Sequence, residues 1–149
     1  MIRPEDYKYT ETHEWIRYNN KTKEAVVGIT DYAVKQLSDL VHIDLPKPDG
    51  NVEQGAPFGE IESVKTVADL VSPLSGKVLE VNKDLPSNLD TLKEDPYEAG
   101  WLIKLKPTEP SELEQLMSNK EYEEFLEASE GEDEEKNVKD EDVDEDDFV

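Results

Sequence analysis

From residue 7 to residue 106 the apolar positions come in short alternating runs, each broken by Gly, Pro, Asn or Asp. That pattern predicts a β-rich domain rather than βαβ units. Strands are expected at 14–18, 24–29, 40–45, 57–61, 68–71, 77–81 and 101–106. Val41, Ile43 and Leu45 give the clearest period of two, so one face of each strand should be buried.

Between residues 29 and 40 the period changes. Thr30 or Asp31 can cap a helix, and Ala33, Val34 and Leu37 recur at helical spacing, which predicts a short helix crossing the sheet. The stretch 85–100 contains Pro86, Asn88, Asp95 and Pro96, turn chemistry that predicts a long surface loop. Beyond Pro107, Ser111 and Glu114 after Pro110 form a capping-box pattern. Leu113, Leu116, Met117, Phe125 and Leu126 then make an apolar stripe fit for one or two C-terminal helices packed on the domain. From Ser129 onward the chain is nearly all acid, with too little apolar surface to offset the entropy of ordering. The expected organisation is a folded domain over 1–128 and a disordered acidic tail over 129–149. That tail reads either as a solvating segment or as a docking motif ending in Phe148 and Val149.

Composition narrows the chemistry. The chain of 149 residues has no cysteine, which excludes disulfides, thiolate nucleophiles and thiolate metal sites; any redox chemistry must come from an attached group. The two histidines, His13 and His42, have no metal-ligand spacing. A net charge of −22 argues against nucleic acid and against an anionic membrane surface. No apolar run reaches the roughly 20 residues that span a bilayer, and the N-terminus has neither signal-peptide nor transit composition, so cytoplasmic residence is expected. With no long apolar seam left once the core is assigned, a monomer is expected. No nucleophile–base pair or phosphate-binding glycine loop suggests an enzyme.

The informative stretch runs from Gly59 to Val78. Apolar residues lead into Glu62-Ser63-Val64-Lys65 and resume at Val67, so this group can turn a hairpin with Lys65 at or beside its tip. An exposed lysine is a cation and a weak nucleophile, better suited as the substrate of an acylating enzyme than as a catalyst. By spacing alone, it reads first as an ordinary surface lysine.

The segment resembles the lipoylation site of the glycine cleavage H-protein family, in which Glu-Ser-Val-Lys is followed by an Asp and a Pro-x-Ser-Gly turn. Here these are Glu62 to Lys65, Asp69, and Pro73 to Gly76. His13-Glu14-Trp15, Val27-Gly28-Ile29-Thr30-Asp31, the strand 41–46, Asp95-Pro96-Tyr97 and Gly100-Trp101-Leu102 match in order and spacing, so the resemblance spans about residues 7 to 125. The Asp-Lys-Ala turn of 2-oxo acid dehydrogenase lipoyl domains and the Met-Lys-Met turn of biotin domains are absent from the sequence.

The resemblance implies a flattened barrel-sandwich hybrid of the lipoyl/biotinyl type, with two small antiparallel sheets. It also implies a non-catalytic carrier with lipoate bound as an amide to Lys65. The carrier would shuttle the aminomethyl group of glycine between a pyridoxal-phosphate glycine decarboxylase, an aminomethyltransferase and dihydrolipoamide dehydrogenase, after acylation by a lipoate ligase or octanoyltransferase. Glu62, Ser63 and Val64 form the attachment motif. Glu14 and Asp69 match polar residues near the cleft that receives the loaded arm, although as exposed acids they need no such role. Tyr32 stands where some relatives have histidine, so any contact it makes with the arm is by packing and its hydroxyl. His13 reads as structural, and His42 as a residue on the polar side of its strand. Gly28, Gly76 and Gly100 read as serving backbone geometry, and Glu98-Ala99 departs from a common glycine. A lipoyl or octanoyl relay, or a carrier in sulfur metabolism, would share the site and fold and differ only in partner. An unmodified acidic interaction domain is the reading from another class.

Overall fold

The computed structural model describes residues 3–129; the expected acidic tail lies outside the described residues from its second residue on. The chain divides into two compact units, Met1–Asn119 and a second beginning at Lys120, whose described part, 120–129, is helical.

Among its described residues the first unit has nine strands: β1 Lys8–Tyr9, β2 Glu14–Asn19, β3 Glu24–Ile29, β4 Leu40–Asp44, β5 Asn51–Val52, β6 Pro57–Ser63, β7 Val67–Val71, β8 Gly76–Val81 and β9 Ile103–Pro107. They form two antiparallel sheets, one ordered β1-β2-β3-β9-β8-β5 and the other β4-β6-β7. Inward residues of both sheets, among them Ile16, Val27, Leu105 and Val78 from the first and Ile43, Phe58, Ile61 and Leu70 from the second, make one continuous apolar core. That is the two-sheet sandwich the resemblance implied, and the period of two that predicted its strands turns every second side chain to the same face.

All seven expected strands are present, 24–29 with the expected bounds and the other six with shifted ends, and β1 and β5 were too short to leave a periodic signal. The helix α1 spans Asp31–Leu37, and its cap is Thr30, whose Oγ1 accepts the Ala33 N–H at 3.2 Å. Val34 and Leu37 are its buried side.

Three expectations are corrected. Val41 is 51% exposed, because the β4–β6 register slips between Leu40 and His42 and throws it out of the alternation that buries Ile43. The stretch 85–100 is no surface loop: it holds a 3-10 turn at Leu85–Ser87 and a helix α2 at Asp90–Glu94, and it buries Leu85, Leu92 and Tyr97. The capping box does not form. Pro110–Gln115 is a 3-10 segment preceded by Glu109 with no side-chain cap, and Glu112 instead accepts the Ser75 N–H at 2.7 Å. From the apolar stripe, Leu113 and Leu116 pack against the core.

An aromatic cluster anchors the end of the six-stranded sheet. Trp15 is fully buried, donates its indole N–H to the Pro96 carbonyl at 2.9 Å and lies 5.0 Å from the Tyr7 ring. Gly28 faces it across the β2–β3 register, and a Cβ there would come within 2.4 Å of the indole. Gly76 and Gly100 meet similar close approaches, to the carbonyls of Lys106 and Asp95.

Candidate functional site

The strands β6 and β7 pair with Ile61 opposite Ala68 and Glu62 opposite Val67. Glu62 and Ser63 therefore belong to the strand, and the turn itself is Val64-Lys65-Thr66. Ser63 closes it. Its backbone N–H donates to the Thr66 carbonyl at 2.8 Å. Its buried Oγ accepts the N–H groups of Lys65 at 3.3 Å and Thr66 at 3.2 Å. A serine oxygen gathering the next two or three backbone N–H groups fixes a turn in the manner of a local capping bond. The Val64 N–H is taken by the Asp39 carbonyl at 2.9 Å, which ties the tip to the start of β4. The backbone is thus held while the side chain of Lys65 is exposed, with no ion-pair partner among the described residues.

Beside the hairpin lies a cleft of about 160 Å³ with an apolar floor of Ile29, Ile61 and Leu70 and a polar rim that includes His13, Glu14 and Asp69. Ala68, on its wall, is three residues from Lys65. A larger hollow of about 520 Å³ shares only Thr12 with this cleft and reaches neither Glu14 nor Lys65.

The expected pair Glu14 and Asp69 are brought to one cleft, but they are unlike. Asp69 is exposed, as anticipated. Glu14 is not an exposed acid: it is 1% accessible. The turn 10–13 between β1 and β2 is tight, with His13 at φ 73°, its N–H bonded to the Thr10 carbonyl at 3.1 Å and its carbonyl receiving the Thr30 N–H at 2.9 Å. That turn directs the Thr10 hydroxyl, at 2.9 Å, and the Thr12 hydroxyl onto one carboxylate oxygen of Glu14. The other oxygen accepts the Val71 N–H at 3.2 Å. Burial raises the Glu14 carboxyl to about 7, against the lowering effect of these donors.

Tyr32 is not on the cleft wall; its ring lies 4.7 Å from that of His13, which is. Burial, with the Arg3 charge in the same direction, holds the His13 imidazole below its usual range. His42 is exposed and pairs with Asp44 at 3.0 Å on the outer face of β4. Thr10 and Thr12, which hold Glu14, were missed from sequence; their only signal is a pair of hydroxyl residues two and four positions before a strand-opening acid. Among the described residues no group of acids and histidines is arranged to hold a metal ion, and no helix is long and apolar enough to cross a membrane.

The arrangement can present one primary amine to a modifying enzyme and receive an apolar chain with a polar or cationic end in the adjacent cleft. Residues 7–129 match the sequence model of the family described as glycine cleavage H-protein. The chain is 47% identical over 127 residues to the glycine cleavage system H protein of Anaeromyxobacter sp. (strain K), covering 85% of this chain and 98% of that one. Against the protein of the same name from Halalkalibacterium halodurans it is 44% identical over 123 residues, covering 83% and 94%. The crystal structure of a glycine cleavage system H protein from Mycobacterium marinum superposes with a TM-score of 0.66 at 43% identity, covering 71% of this chain and 87% of that one.

Proposed function

The chain belongs to the glycine cleavage H-protein family, and from that premise we propose that Lys65 carries its lipoate as an amide on Nζ. Proteins of this family are non-catalytic lipoate-bearing carriers in glycine cleavage, working with the other components of that system. The observation that carries the assignment to Lys65 is its place: an exposed side chain on a turn whose backbone is pinned by Ser63 and Asp39.

The residues present fit the group. The chain has no sulfur nucleophile of its own, and lipoate supplies the sulfur pair that accepts, carries and releases a one-carbon fragment. Acylation forms an amide between Nζ and the carboxyl carbon of an activated lipoate or octanoate; the activating group leaves, and the ammonium gives up two protons to solvent and keeps one as the amide N–H. Glu62, Ser63 and Val64 present the amine to a lipoate ligase or octanoyltransferase. In the cytoplasm, the tethered arm would then serve glycine decarboxylase, aminomethyltransferase and dihydrolipoamide dehydrogenase, since linkage to a small carrier raises its local concentration at each site it visits.

The cleft beside the hairpin is the natural rest for such an arm. Its apolar floor would take the hydrocarbon stem, while Glu14 and Asp69 would face a cationic end, with Tyr32 acting through the His13 ring it packs on. Glu14, with its carboxyl near 7, can hold or release a proton at that end.

The test is intact-protein mass spectrometry with peptide mapping after co-expression with a lipoate ligase in lipoate-supplemented medium. A lipoyl mass on Lys65, lost in Lys65→Arg, is the expected result. A bare Lys65 under conditions that modify a known acceptor overturns the assignment.

A further inference from the structure

The outer face of the three-stranded sheet is built against its own stability. Registers across β4, β6 and β7 set Asp44 opposite Glu60 and Glu60 opposite Asp69, a row of carboxylates directly facing one another across three strands. Like charges in cross-strand pairs are destabilising. Glu60 and Asp69 have no ion-pair partner among the described residues, and Asp44 has only the exposed His42. One row nearer the tip, His42 faces Glu62 and Glu62 faces Val67.

At the hairpin end of the same sheet, three large apolar side chains are left in water. Val64 is 73% exposed, Val67 55% and Val41 51%. Val64 and Val67 flank Lys65 in sequence, and the Val64 N–H bond to the Asp39 carbonyl brings Val41 to the same end. Three exposed valines thus form an apolar collar at the lysine's end of the sheet, and a carboxylate row crosses the same sheet two residues back from the last pair of the hairpin.

We propose that this collar and row are the docking surface for the enzyme that acylates Lys65, a protein whose active-site mouth is apolar and rimmed by Lys and Arg. The proposal rests on Lys65 being the acylated residue. A lysine side chain reaches only about 6 Å from its Cα, so an enzyme acting on Nζ must close over the turn and meet Val41, Val64 and Val67. Enzymes working at the far end of a loaded arm need no such approach. The carboxylate row selects a basic partner and steers it onto the hairpin. A second copy of the chain would set one acid row against another.

Two full-length variants test this: Val41→Thr/Val67→Thr, which keeps the β-branched shape, and Asp44→Asn/Glu60→Gln, which removes the repulsion and should leave the melting temperature equal or higher. With a lipoate ligase, lipoate and ATP at low salt, each should lower kcat/KM for acylation by roughly tenfold, through unpaired hydroxyls at an apolar contact in one and lost steering in the other. Once driven to complete lipoylation with excess ligase, each should be reduced by dihydrolipoamide dehydrogenase within about twofold of the wild-type rate. Acylation unchanged within twofold overturns the proposal, as does a parallel loss in both reactions, which would make the face a general one. If the wild-type chain stays bare while a control acceptor is modified, the assignment of Lys65 fails and this surface with it. If the wild-type and both variants are acylated alike, only the surface fails.

Discussion

The hydroxyl oxygen of Ser63 lies 3.3 Å from the backbone nitrogen of Lys65 and accepts its N–H, so the residue two before the lysine fixes the backbone from which the lysine projects. The same oxygen takes the Thr66 N–H at 3.2 Å, and it does so from a buried position where water cannot easily replace it.

Ser63→Ala should therefore release two backbone N–H groups at once. A loss of about 1–2 kcal/mol is expected, within the range for a lost cap or a buried hydrogen bond, measured as a lower urea midpoint at unchanged slope. Amide exchange should quicken at Lys65 and Thr66 while the strands keep their protection, and acylation should slow severalfold. Unaltered exchange at those two amides would show that the turn holds itself without the serine.

Glu14 makes the protein's stability depend on pH in an unusual direction for a carboxylate. Burial disfavours the charged form and raises the carboxyl from its ordinary 4.5 to about 7 in the folded chain. The native state therefore binds more protons than the unfolded one between those values. Its favourable share is complete below about 4.5, falls as pH rises and is gone above about 7. The span corresponds to a change on the order of 3 kcal/mol. His13 and Asp69 share the cleft, so the comparison should be between wild type and Glu14→Gln. The wild-type chain should lose stability relative to Glu14→Gln from pH 5 to pH 8. Parallel curves for the two would place the Glu14 carboxyl in its ordinary range.

Trp15 and Gly28 test the packing that seats Glu14 at the start of its strand. A Cβ at position 28 would approach the indole to 2.4 Å, and the indole cannot retreat because its N–H is bound to the Pro96 carbonyl in a fully buried cluster. Gly28→Ala should cost about 1–3 kcal/mol by overpacking, read by thermal and urea unfolding. A neutral result would mean that the β2–β3 pair yields at this point.

How far the sequence led can be judged at particular residues. Ile43 and Ile61 announce their strands because a period of two survives wherever one face is buried. The hairpin and its lysine were legible for the same reason, as apolar runs stopping on both sides of a short polar group. Val41 misled, since a bulge moves a residue out of alternation without altering the pattern of letters. Leu92 and Tyr97 were hidden among turn residues: short helical pieces bury single side chains that no period announces. Glu14 was read as exposed, and only the three-dimensional turn that sets Thr10 and Thr12 over it shows why a buried acid is tolerated there. Registers, which produce the facing carboxylates of Glu60 and Asp69, are not written in either strand alone.

Tyr97 supplies the last prediction. Its hydroxyl donates to the Asp31 carboxylate and accepts the Asp31 backbone N–H at 3.2 Å, and Arg3 pairs with the same carboxylate at 2.9 Å. Asp31 opens α1, so this phenol joins the segment 85–100, read from sequence as a long surface loop, to the helix beside the cleft. Burial, reinforced by the acceptor it donates to, raises the phenol above its usual range. Tyr97→Phe leaves the ring's packing intact and strips both bonds, stranding an N–H at the helix start. A loss of about 1–3 kcal/mol is expected, with faster amide exchange at Asp31. Lys65 acylation should be preserved, because the hairpin is pinned independently through Ser63 and Asp39. In a spectroscopic titration of the wild-type chain, the fraction of tyrosine that resists ionisation until the protein unfolds should shrink by one residue in Tyr97→Phe. If every tyrosine ionises together below the unfolding pH, the bond to Asp31 does not hold the phenol.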